Sequence, residues 1–131
     1  MSWKQFHSLS EDLAAAAETA MRKGDISAAR DLYRQAADAE SEAFETLSEN
    51  QDRTLGITAV SAVALRYKAH EFDSAEQSAH RYLALPTLPN FARIQLRELL
   101  ERIWAPGDND RDGVTLTADE VRGLLSGAGC Q

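Results

Sequence analysis

The sequence predicts an all-α fold: two helical hairpins, a fifth helix packed across their end, and a short helix in the C-terminal tail. Three observations carry that expectation. Before residue 106 the only prolines are Pro86 and Pro89 and the only glycines Gly24 and Gly56, so long helices are uninterrupted. Apolar residues recur at spacings of three and four. The period-two alternation of strands is absent.

The first helix is expected over residues 3–23. Ser2 caps it with Gln5 three positions on, and its apolar side reads Leu9, Leu13, Ala16, Ala17 and Ala20. Gly24 stops it. Asp25 caps a second helix with the stripe Ile26, Ala29, Tyr33, Ala36, Ala43 and Leu47, ending near Asn50. After the polar connection SENQDRT, a third helix over 54–69 carries Leu55, Ala59, Val60, Val63, Ala64 and Tyr67 around so much of its circumference that it should be central and the most buried. A turn at His70 and Glu71 leads to a fourth helix over 73–84 that buries Ala75, Ala79, Tyr82 and Leu83. Pro86 ends it. Pro89 suits the first turn of a fifth helix whose wide apolar face is Phe91, Leu96, Leu99, Leu100, Ile103 and Trp104. Pro106 and Gly107 close the helical body, which gives two segments: a helical domain over 1–105, and an acidic loop with a short helix over 106–131.

At 131 residues and 44% hydrophobic content the chain suits one ordinary globular body. Its net charge of −7 is uneven: −5 over residues 1–50, +1 over 51–105 and −3 beyond. Such an acidic surface repels phosphate backbones, which disfavours general nucleic-acid binding. Arg66, Lys68, Arg81, Arg93, Arg97 and Arg102 are the exception to weigh, because a basic face among them would suit a nucleic-acid-binding regulator. Cys130 is the single cysteine, so neither a disulfide framework nor a thiolate metal site is expected, and a reducing compartment is the default. No apolar run is long enough to span a membrane, and the N-terminus lacks a signal-peptide pattern, so a cytoplasmic protein is the expectation.

No enzyme signature emerges. His7, His70 and His80 form no pair at the four-residue spacing that sets two ligands on one helical face. Ser8, Ser10 and Ser61 lack nucleophile-elbow glycines, and Glu11 with Asp12 reads as exposed charge on the first helix.

Shifting the chain by 46 residues sets Gly24-Asp25-Ile26 on His70-Glu71-Phe72, Ala17 on Val63, Ala29 on Ala75, Tyr33 on Ala79 and Ala36 on Tyr82. Small residues at Ala17, Ala20 and Ala29, a glycine before the turn, an aromatic four residues after Ala29 and a later proline near Pro86 resemble the tetratricopeptide repeat. The stretch over residues 1–105 also looks like bacterial helical proteins of this kind, a likeness that names no activity. A period of 46 in place of 34 implies a lengthened second helix, and Ala79 and Tyr82 exchange the family's large and small positions. The segment GDISAARDLYRQAA also shows the pattern of a three-helix microtubule-interacting-and-transport domain, which would leave the last two helices unexplained. The tetratricopeptide resemblance implies a right-handed stack with a groove for a protein partner, hence an adaptor or regulatory subunit with candidate contacts at Arg66, Tyr67, Arg93 and Arg97, or self-association through the same groove. The alternative is a plain five-helix bundle without a groove.

In the tail, Asp108, Asp110 and Asp112 alternate ahead of Gly113, as in the first half of an EF-hand loop. With the Val114 carbonyl at the seventh position and Asp119 at the twelfth, as in dockerin-type loops, the resemblance implies calcium. Thr115 at the usually apolar eighth position, Pro106-Gly107 in place of an incoming helix, and the lack of a second loop depart from the family. The competing reading is an acidic linker before a helix capped by Thr117 and Glu120, with Val121, Leu124 and Leu125 docking on the body.

Overall fold

The computed structural model describes residues 1–48 and 50–105, and they form five α-helices with no strand among them: α1 (Trp3–Arg22), α2 (Ile26–Glu45), α3 (Asp52–Lys68), α4 (Phe72–Leu83) and α5 (Asn90–Trp104). The expected short helix at 117–125 lies outside the described residues. Local chemistry sets the boundaries. The Ser2 hydroxyl accepts from the Gln5 amide while the Gln5 side chain accepts from the Ser2 amide, which completes the expected capping box. Asp25 caps α2 by accepting from the Ala28 amide. That helix stops at Glu45 and not near Asn50, because Thr46 turns its hydroxyl onto the Ala43 carbonyl and Ser48 then folds onto the Gln51 side chain through both its amide and its hydroxyl. Pro89 is the extended residue before α5 and not part of its first turn.

The 46-residue correspondence is visible in the backbone. Among the described residues the left-handed conformation occurs at Gly24 (φ 81°) and at His70 (φ 62°), the two positions that the shift superimposes. Both turns are Schellman motifs. The Gly24 amide donates to Met21 and the Asp25 amide to Ala20; 46 residues on, His70 donates to Tyr67 and Glu71 to Arg66. Ala17 and Val63, Ala29 and Ala75, Tyr33 and Ala79, Ala36 and Tyr82 are all buried. A small residue in the first turn after each Schellman bend lets the returning helix lie close to the one before it. Replacing Ala29 with leucine is therefore expected to overpack the first hairpin and cost about 1–3 kcal/mol; an unchanged urea midpoint would refute the close approach.

Helix α3 is central, as its all-round apolar sequence predicts, and packs against α2, α4 and α5. The main core joins Phe44 of α2 and Leu55, Val60 and Val63 of α3 to Tyr82 of α4 and Leu96, Leu99 and Ile103 of α5. A second, smaller cluster of Ala17, Tyr33, Ala36, Ala37, Leu65 and Ala69 seats α1 on α2, with Leu13 partly buried at its edge. Gly56 marks the tightest approach of α3 to the start of α5: a Cβ there would lie 3.1 Å from Ala92 Cβ, Phe91 Cζ and Pro89 Cδ.

Four apolar residues assigned to buried stripes face outward. Leu9 and Ala16 on α1, Ile26 at the start of α2 and Trp104 at the end of α5 are exposed, whereas Ser10 is buried in α1. α1 is thus rotated relative to its hydropathy stripe, and what rotates it is polar chemistry described next.

Candidate functional site

On a helix, positions 36, 40 and 43 share a face, so Glu40 falls among the alanines with which α2 meets its neighbours. Its side chain is 1% exposed, the most buried carboxylate among the described residues. Its partner is His7 on α1, whose Nδ1 lies 3.0 and 3.2 Å from the two Glu40 oxygens while Nε2 lies 3.1 Å from Glu11 Oε1. The Trp3 indole stacks on the His7 ring at 4.6 Å between centroids and donates through Nε1 to Thr58 Oγ1 on α3, 3.0 Å away. Thr58 is itself fully buried and donates to the Thr54 carbonyl. Trp3, His7 and Ser10 follow helical spacing, and this polar row, not Leu9 and Ala16, is what α1 turns inward.

The hydrogen bond that the His7 ring donates to Glu40 raises the His7 pKa above the ordinary histidine value; burial opposes the rise, and the charges of Glu40 and Glu11 add to it. Two carboxylates thus favour imidazolium, which is the state that balances the buried Glu40 charge. Sequence reasoning missed this joint. The available signal was one acid, Glu40, inside an otherwise alanine and aromatic stripe.

The candidate partner contacts do not form one surface. Tyr67 is core, 4% exposed, with its ring edge-on to Phe72. Arg66 is largely covered and bridges Asp38 of α2 (2.7 Å) and Glu71 beside the second turn (3.1 Å). Arg93 donates to the carbonyls of Leu83, Leu85 and Leu88 at 2.7, 2.6 and 3.2 Å, closing the end of α4. Arg97 alone of the four is exposed. Of the other cations of the middle segment, buried Lys68 places its ammonium 4.7 Å from the centre of the Tyr33 ring, Arg81 pairs with Glu45, and Arg102 is exposed. Burial pushes the Tyr33 hydroxyl up to about 12. Outside the core, Arg34 spans Asp31 and Asp38, and Asp31 is held below the ordinary carboxylate range by its hydrogen bonds from Arg34 and then Gln35.

The open face of α5 presents Ile94, Arg97 and Glu101 with Trp104, each exposed, and Trp104 stacks on His80 of α4 at 6.0 Å. Among the described residues no three His, Cys, Asp or Glu side chains are grouped to hold a metal ion, and no helix is long and apolar enough to cross a membrane. The calcium set Asp108, Asp110, Asp112, Val114 and Asp119 lies outside the described residues. No protein-family model matches the chain, and neither a curated protein nor a solved structure gives a significant match.

Proposed function

We propose that the chain is a non-enzymatic protein-interaction module, an adaptor or regulatory subunit of tetratricopeptide-like construction. The observation that carries this reading is the duplicated Schellman turn at Gly24 and His70, each followed by a fully buried alanine, Ala29 or Ala75. Helix pairs repeated in this way stack and leave one edge for a partner. The contact surface is the open face of α5, where Arg97 stands between the exposed apolar side chains of Ile94 and Trp104. An aromatic, an aliphatic and an arginine are the residue types that anchor protein interfaces. Calcium held by Asp108, Asp110, Asp112, the Val114 carbonyl and Asp119, the set that the EF-hand resemblance implies, would then modulate that interaction.

Two measurements test this reading. Ile94→Asp with Arg97→Glu changes only exposed side chains, so the folded double variant should lose a protein that the wild type retains on affinity purification from its native cell. Equal retention by both would refute the α5 surface. For the loop, calorimetric titration of calcium into chelator-treated protein should give binding no tighter than about micromolar, since an aspartate at the twelfth position reaches less far than glutamate. The Asp108→Ala and Asp112→Ala double variant should give none, and equal heats from the two proteins would refute calcium binding.

A further inference from the structure

Glu40 is an expensive residue to bury. A carboxylate removed from water must be balanced by a cation or take up a proton. Here the partner among the described residues is an imidazole, a group that itself changes charge near neutral pH. The geometry makes that pairing span a joint, with His7 on α1 and Glu40 on α2, and the same turn of α1 reaches α3 through Trp3 and Thr58. α1 is an end helix seated chiefly on α2. The apolar cluster that holds it, Ala17 with Leu13 and Ala14, lies in its second half, so its first half depends on the polar contacts.

We infer that the His7–Glu40 pair is a proton-controlled latch: with His7 charged it clamps the first half of α1 onto α2, and with His7 neutral that half opens. The charged groups acting on His7 are Glu40 from α2 and Glu11 from its own helix; α3 contributes only the neutral Thr58 hydroxyl, through Trp3. With the proton gone, Nδ1–H can still donate to Glu40, but the buried carboxylate has lost its counter-charge, and the Nε2 lone pair faces the Glu11 carboxylate at 3.1 Å. Because folding raises the His7 pKa, the stabilisation is complete below the ordinary histidine value and is lost as pH rises through the raised one. Opening uncovers the α2 face around Glu40 on which His7 lies and withdraws Trp3 from Thr58 of α3.

The test joins two measurements on the whole chain. An NMR titration of the His7 ring gives its pKa in the folded protein, and amide exchange, corrected for intrinsic pH dependence, gives the opening of residues 3–12 across the same range. Protection there should fall tenfold for every unit by which the His7 pKa exceeds that in the opened helix, while α5 keeps its protection. Glu40→Gln should remove most of the pH dependence, leaving the share that Glu11 contributes. Should that core variant fail to fold, Glu11→Gln, at a side chain 68% exposed, keeps the inference testable, because it should lower the His7 pKa and reduce the pH-dependent loss in proportion. A His7 pKa at or below the ordinary value, α1 protection independent of pH, or equal loss of protection in α1 and α5 would each overturn the latch.

Discussion

Replacing Tyr82 with alanine is expected to remove about 3–5 kcal/mol of stability, a large share of what a domain of this size possesses. Tyr82 is 2% exposed, and its ring meets Phe44 at 4.5 Å between centroids, so it couples α4 of the second hairpin to α2 of the first. Truncation would leave a cavity where the two hairpins meet, and a rigid helical stack collapses only partly into such a space. Burial raises the Tyr82 pKa and the nearby Ser41 side chain opposes the rise, so Tyr82→Phe isolates the contribution of the hydroxyl at about 1 kcal/mol. Urea denaturation of both variants checks the pair. If Tyr82→Ala costs no more than Tyr82→Phe, the ring is not what joins the hairpins.

Gly56→Leu is expected to cost about 3 kcal/mol, by wedging α3 away from the start of α5. A Cβ at this position would meet Pro89 Cδ and Ala92 Cβ at 3.1 Å, and neither atom can swing aside as the end of a long side chain would. The smaller change Gly56→Ala sets this crowding against the roughly 1 kcal/mol by which alanine favours a helix over glycine, so it should move the midpoint little. The contrast between the two substitutions is the informative quantity. A leucine variant as stable as the wild type would show that α5 sits on α3 with room to spare.

Caps and breakers made most of the fold legible: Ser2 with Gln5, Asp25, the Gly24 turn and Pro86 each act through a few neighbouring atoms, and each does so as the sequence implies. The repeat was legible too, down to His70 occupying the place of Gly24, although no composition rule predicts a histidine with positive φ. The facing of α1 was not. Four consecutive alanines, Ala14 to Ala17, carry almost no directional hydropathy, so the rotation is decided by Trp3, His7 and Glu40, groups that meet only once α2 and α3 are in place. The partner surface failed for a related reason. Tyr67 and Arg93 look like recognition residues in a sequence, yet one fills the core and the other serves carbonyl oxygens that sequence cannot locate.

Arg93 has a consequence for how the chain meets proteases. The α4–α5 connection exposes Pro86 and Thr87 and would ordinarily be a cleavage site, since an enzyme needs a stretch of several residues drawn out as an extended strand. One guanidinium holds the oxygens of residues 83, 85 and 88, and Leu88 is anchored in the core. Drawing the connection out means withdrawing Arg93 from all three oxygens and Leu88 from its neighbours at once. Nicking there therefore reports the opening of the whole α4–α5 corner, and the short linker lives as long as the helices it joins.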